Sequence, residues 1–160
     1  MLGKTSILAI RTLLLLGEQE PGECWSPRRL AESLGESPTY LAKVVRHLVK
    51  AGILEAEKGV KGGVRLRQRP EEISLLSVVE ACRGTIVGDF CRSNRPAWSF
   101  CSFHQAALEL HNAITGVLVR WTIADLMETP TGIGEVAGGA ACLMAGRVSV
   151  ASPQTKTGGA

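Results

Sequence analysis

Aromatic residues are scarce in this chain of 160 residues: they make up 4% of it, and there is a single tyrosine. The overall hydrophobic content of 45% is nevertheless ordinary for a globular protein. The core is therefore predicted to be aliphatic. The length favours one domain, or one domain with an appendage.

Long uninterrupted hydrophobic runs are also missing. The leucine run Leu13–Leu16 is preceded by Arg11 and no small-residue cleavage site follows it, so it does not resemble a signal peptide. No window reaches the length of apolar sequence that a membrane span needs. We therefore expect no contact with a membrane and a cytoplasmic location. Five cysteines without a secretory signal indicate free thiols or metal ligands rather than a disulfide framework.

Several catalytic and nucleotide-binding motifs are absent as well. The sequence contains no C-x-x-C, no H-E-x-x-H and no G-x-x-x-x-G-K-[ST], and carboxylates are sparse near the cysteines. These absences predict a protein that is not an enzyme. A cysteine-dependent oxidoreductase or small metalloenzyme remains the less favoured alternative.

Positive charge, by contrast, is concentrated in one segment, Ser37–Arg69. It carries eight lysines and arginines against two glutamates, a net charge of +6 in a chain whose total is +3. A compact basic patch of this kind is typical of proteins that neutralise phosphates.

The local signals around this segment predict a winged helix-turn-helix. Ser26 and Pro27 mark the start of a helix that ends at Gly35, and Ser37 and Pro38 mark the start of a second helix that runs to about Ala51. Residues 53–57 and 64–66 can pair as strands around a basic, glycine-bearing loop at 58–63. The predicted fold class is therefore mainly α, with a two-stranded wing.

The second of these helices has the character of a DNA-recognition helix. Its N-terminal part would enter the major groove, while its later cations and the wing would meet phosphates. The candidates for base edges are Ser37, Thr39, Tyr40 and Lys43, and those for the backbone are Arg46, Lys50, Lys58 and Lys61. A solvated helix face that happens to be basic is the alternative, which the adjoining wing makes less attractive.

A long helix is predicted from about Cys101 to about Met127. Apolar residues recur in it at alternating intervals of three and four, as in a coiled-coil seam: Ala107, Leu110, Ile114, Val117, Trp121 and Ala124. We interpret it as a dimerisation helix, although a helix packed on its own core would look similar. The predicted organisation is a DNA-binding domain (1–83), a cysteine-containing loop (84–103), the dimerisation helix (104–127) and a flexible tail (128–160).

The opening MLGKTSILAIRTLLLLG, the helix pair LAESLGESPTYLAKVVRHLVKAGIL, the wing KGVKGGVRL and the closing WTIADL together resemble the Rrf2 family of bacterial transcription regulators. The resemblance covers roughly residues 1–127. That family includes an iron–sulfur cluster regulator, a nitric-oxide-sensitive repressor and a cysteine-metabolism repressor. The resemblance implies a homodimer that binds a double-stranded DNA operator, with Tyr40 and Lys43 at DNA-reading positions and Lys58 and Lys61 in the wing.

The resemblance also implies a sensor in the loop before the long helix, where many members hold an iron–sulfur cluster with three cysteines and sometimes a histidine. Cys91, Cys101 and His104 match part of that pattern, and Cys82 is a less favoured fourth ligand. The spacing between Cys91 and Cys101 is wider than is usual in the family, and Ile7 stands where some relatives have a carboxylate ligand. A [2Fe–2S] or [4Fe–4S] cluster is therefore expected, with zinc, a pair of redox-active thiols or a lost sensor as alternatives.

Overall fold

The computed structural model describes residues 2–59, 62–84 and 102–128. The helices are α1 (Lys4–Gly17), α2 (Pro27–Leu34), α3 (Pro38–Lys50), α4 (Leu75–Arg83), α5 (Ser102–Arg120) and α6 (Ile123–Glu128), and the strands are β1 (Leu54–Glu57) and β2 (Gly63–Leu66). A single 3₁₀ turn, Pro70–Glu72, precedes α4. The predicted fold class, mainly helical with a two-stranded antiparallel sheet, is confirmed.

The helix-turn-helix forms where the capping signals predicted it. The Ser26 hydroxyl accepts a hydrogen bond from the backbone N–H of Arg29, and Gly35 ends α2 with a φ of 66°, a conformation that favours glycine. Ser37 stands at the N-cap of α3, but its side chain makes no capping hydrogen bond. The two helices are therefore joined by the predicted short turn, and the Ser37 hydroxyl is not used to cap α3.

The core is aliphatic, as the composition predicted. It gathers the inner faces of α1, α2 and α3 with β1, β2 and the start of α4, and Trp25 is its one aromatic member among the described buried residues. In α3 the buried side chains are Leu41, Val44, Val45 and Leu48. These are four of the five residues that helical spacing placed on the inner stripe, and the fifth, Val49, is partly buried.

The wing is broader at its base than the sequence indicated. β1 pairs with β2 antiparallel from Leu54 opposite Leu66 to Glu57 opposite Gly63. Trp25 then adds a one-residue third strand, because its N–H and C=O exchange hydrogen bonds of 3.0 and 2.9 Å with Val64. A Cβ atom at Gly63 would lie 2.6 Å from the Trp25 carbonyl group. Glycine at this position is thus required by a close approach of backbones.

The predicted long helix is divided in two at Thr122. Asp125 accepts hydrogen bonds of 2.8 Å from both the backbone N–H and the hydroxyl of Thr122, and the Thr122 hydroxyl accepts one of 3.2 Å from the Asp125 N–H. This reciprocal capping box starts α6. The backbone on either side also leaves the helix to bond Ile73 and Leu75, each at 2.9 Å. Extending one helix to residue 127 was therefore wrong, because the heptad spacing continued through a cap.

The predicted seam of α5 falls on two faces. Ala107 and Ile114 are half-buried, on the same side of the helix as Leu118, which is buried but was not part of the predicted seam. Leu110, Val117 and Trp121 are exposed at 62%, 48% and 41%. One half of the seam is thus partly covered by the chain itself, where α5 contacts α4, and the other half faces outward.

None of the helices in residues 2–59, 62–84 and 102–128 combines the length and the apolar character that a bilayer crossing demands.

The capping box at Thr122 predicts a pH-dependent contribution to stability. Its hydrogen bonds hold the pKa of Asp125 below its usual value, so the stabilisation is present above the unfolded-state pKa of about 3.9 and is lost as pH falls through the folded-state pKa. Asp125→Ala should lower the urea midpoint at neutral pH, and the difference from the unsubstituted protein should shrink in acid. Glu128→Ala, at an exposed acid of the same helix, is the control. An equal loss at both pH values would contradict this account.

Candidate nucleic-acid interface

The outer face of α3 presents the residues that the sequence singled out. Ser37, Thr39 and Lys43 are exposed at its N-terminal end, and Arg46 and Lys50 are exposed further along. The opposite face is held by fully buried Leu41, Val44 and Leu48. Because one side of the helix is fixed in the core, the polar side has a defined orientation towards solvent.

The cations of this face are not neutralised by neighbouring acids. Within the described residues, Lys43, Arg46, Lys50 and Lys58 make no ion pair. The two glutamates of the basic segment, Glu55 and Glu57, both pair with Arg65. The charge on the exposed face is therefore available to an external anion.

Tyr40 differs from the other candidates. It is half-buried, and its hydroxyl lies 3.0 Å from the Thr5 Oγ1 atom in α1, where either group can donate the hydrogen bond. In this structure the phenol therefore braces the recognition helix against α1. Sequence reasoning assigned Tyr40 to DNA reading and missed this contact, since nothing in the spacing brings α1 to residue 40.

The wing follows α3 closely. Ile53 donates its backbone N–H to the Leu48 carbonyl at 3.0 Å, so β1 begins directly after the last turn of the helix. Lys58 stands at the end of β1, and Gly59 has a φ of 119°. Lys61, the second predicted wing cation, lies outside the described residues. A Cβ atom at Gly62 would lie 2.3 Å from the Glu57 carbonyl oxygen, so the tip is too tight for a side chain there.

Trp25 anchors the base of the wing and was not singled out by the sequence analysis. Besides its two backbone bonds to β2, its ring is covered by the Arg29 guanidinium, 3.5 Å from the ring centroid. Arg29 also pairs with Glu23 at 3.0 Å. Cation–π stacking of this kind ties the loop before α2 to that helix, while the backbone bonds of Trp25 attach the same loop to β2. The signal that could have indicated it is the isolated large aromatic beside a helix cap.

The proposed metal ligands fall largely outside what the structure describes. This applies to Cys91, to Cys101 and to the side chain of His104, although the backbone of His104 belongs to α5. Across residues 2–59, 62–84 and 102–128, no group of three or more His, Cys, Asp or Glu side chains is placed to hold a metal ion.

The fourth cysteine considered as a ligand, Cys82, is described. It is half-buried near the end of α4, its Sγ atom lies 4.0 Å from the Thr5 carbonyl oxygen, and burial raises the pKa of its thiol. A raised pKa disfavours the thiolate that a metal requires. Cys24, beside the wing, also has a raised pKa, from burial and then from its hydrogen bond to Glu57.

Comparison with protein families gives one match over most of the chain. The family model Rrf2, described as an iron-dependent transcriptional regulator, matches residues 2–129. Among curated proteins, the chain is 32% identical over 124 residues to the HTH-type transcriptional regulator NsrR of Geobacillus kaustophilus, covering 75% of this chain and 84% of that protein.

Solved structures agree on the fold. The chain superposes on CymR, the global cysteine regulator of B. subtilis, with a TM-score of 0.65 at 20% identity, covering 80% of this chain and 96% of CymR. On IscR of T. potens the TM-score is 0.64 at 21% identity, covering 91% and 96%. At these identities the two superpositions show a shared fold.

Proposed function

The chain belongs to the Rrf2 family of DNA-binding transcription regulators, and on that premise we propose that it binds operator DNA as a homodimer through α3 and the wing. Its relatives are named as regulators, and regulation rather than catalysis is its function. We place it in the cytoplasm, where it has access to DNA.

The observation that carries the DNA-binding surface is a row of cations on α3 that form no ion pair with any residue of the described ranges. Lys43, Arg46 and Lys50 recur at intervals of three and four and so follow one face of the helix over about 10 Å. The small polar residues Ser37 and Thr39 precede them at the end that enters a major groove first. We assign Ser37, Thr39 and Lys43 to base edges and Arg46 and Lys50 to phosphates.

The wing extends this surface beyond the helix. Lys58 follows β1 without an ion-pair partner among the described residues, and we assign it, with Lys61, to the backbone or minor groove beside the site. We assign Tyr40 a share in positioning α3, because its hydroxyl is engaged by Thr5.

Binding to a labelled mixed-sequence DNA duplex at increasing salt tests this surface. Lys43→Ala, Arg46→Ala and Lys50→Ala should each weaken binding, and loss of a phosphate contact should lower the slope of log K against log salt by about one. Arg120→Ala, at an exposed cation on α5, is the control and should leave the slope unchanged. Wild-type protein without salt-dependent affinity would refute the proposal.

The homodimer is argued from the outward face of α5. This helix has 19 residues, a length of about 28 Å. It exposes Leu110 and Val117, and the exposed Trp121 follows directly after its last residue, so the three apolar residues recur at intervals of seven and four. Apolar residues at this spacing form one stripe along the helix, and an identical stripe on a second copy is its natural complement. A two-fold dimer would also present two recognition helices to two half-sites.

The oligomeric state should therefore depend on that stripe. Leu110→Glu or Val117→Glu would place a charge in the centre of the interface, and sedimentation should then report a monomer that still folds. Asn112→Glu adds the same charge at an exposed polar position of α5 and should stay dimeric. Dissociation of all three variants alike, or of none, would contradict the assignment.

We place the sensor at Cys91, Cys101 and His104. Two thiolates and an imidazole suit iron–sulfur chemistry, which supplies a centre that reacts with oxidants or nitric oxide, and the family model is described as iron-dependent. These donors are one short of a closed site, and we propose a partner-chain group as the fourth, since the Cys82 thiol is half-buried beside the Thr5 carbonyl oxygen of α1. Zinc or a thiol pair remains the alternative.

The chain connectivity gives this site a route to the DNA surface. α5 begins at Ser102, immediately after Cys101, so a change in geometry at that cysteine acts directly on the start of the helix. We propose that this alters the spacing of the two recognition helices in the dimer and hence their fit to paired half-sites.

Protein purified without oxygen should show visible charge-transfer absorption with stoichiometric iron and sulfide. Cys91→Ser and Cys101→Ser should abolish both, while Cys82→Ser should retain them, because the Cys82 thiol packs against α1. Zinc without iron would assign a zinc site instead. A colourless, metal-free protein would remove the cluster and leave the DNA-binding surface in place.

A further inference from the structure

The outward face of the wing carries a cluster of opposite charges. In the β1–β2 register Arg65 is directly opposite Glu55, and Glu57 is opposite Gly63, which has no side chain. Directly opposite and diagonal neighbours on one face of a sheet are within reach of a long side chain. Glu57 therefore has only the diagonal Arg65 as a cross-strand partner.

From this position Arg65 forms ion pairs with the carboxylates of both Glu55 and Glu57. Its Nε atom donates to a Glu55 carboxylate oxygen, and its Nη2 atom lies 2.8 Å from a Glu57 carboxylate oxygen. All three charged side chains are a third to a half exposed, at 33%, 40% and 47%. Pairs with this much exposure contribute little to stability, so the arrangement needs another explanation.

The position of the two carboxylates near the wing tip suggests a role for their pairing with Arg65. Glu57 is adjacent to Lys58, and Glu55 is two residues further back, so both lie within about 10 Å of the wing tip, which is about one Debye length. A released Glu57 would be the nearest anion to Lys58 and would compete with DNA phosphate for it. Among the described residues, the Arg65 guanidinium is the cation that pairs with Glu57 and so prevents such a pairing.

We propose that Arg65 is a positioning residue for DNA binding: by sequestering Glu55 and Glu57 it keeps Lys58 available to phosphate, without itself contacting DNA. This rests on the proposed function. It deepens that function, because it accounts for two acidic residues next to the tip of a DNA-binding wing.

A double-mutant cycle tests the proposal, with the labelled mixed-sequence duplex as probe and affinity measured across a salt series. Arg65→Met should weaken binding roughly fivefold at low salt and lower the salt slope by about one, because Lys58 is then captured by Glu57. The same substitution made in a Glu55→Gln, Glu57→Gln background should change neither affinity nor slope appreciably. Arg65→Lys, which keeps the charge, should bind nearly as well as the unsubstituted protein.

The outcomes separate the competing roles. Equal losses in both backgrounds would mean that Arg65 contacts phosphate or braces the fold, and either result overturns the proposal. Thermal unfolding identifies a bracing role by a lowered midpoint. Weaker binding of the Glu55→Gln, Glu57→Gln protein alone would also overturn it, since those carboxylates are expected to oppose binding. If the unsubstituted protein shows no salt-dependent binding, the proposed function itself fails.

Discussion

Burial of the inner stripe of α3 is the constraint on which the rest of the structure depends. Leu41, Val44 and Leu48 are fully buried, and each such side chain contributes about 1.5–3 kcal/mol by leaving water. This burial fixes the rotation of the helix about its axis and hence the direction of its cations. It also fixes the wing, because β1 begins from a hydrogen bond between Ile53 and the carbonyl of Leu48.

Ion pairing within the basic segment then separates its acidic residues from its remaining cations. The segment's net charge of +6 comprises seven cations beyond Arg65 and one cluster in which Arg65 holds both glutamates. Charge counting along the sequence does not reveal this division. It follows from the antiparallel register, which brings residues ten positions apart to the same face.

Most of the signals that predicted structure correctly came from interactions that are themselves local. The caps at Ser26 and Gly35 and the buried stripe of α3 were predicted because each involves residues within a few positions of one another. The break at Thr122 was missed although its capping box is also local, since heptad spacing runs through it. The contacts of Tyr40 with Thr5 and of Trp25 with Val64 span 35 and 39 positions, and no spacing rule connects them.

The sequence by itself determined the winged helix-turn-helix class, the basic recognition helix and the residues of its outer face, because periodicity and caps specify which side of a helix is apolar. Only the tertiary structure decided that Tyr40 braces α3 against α1, that half of the α5 seam is used internally, and that Arg65 holds the wing's acids. Each of these depends on which surfaces meet after folding. That is set by packing between elements distant in the chain, which local patterns do not encode.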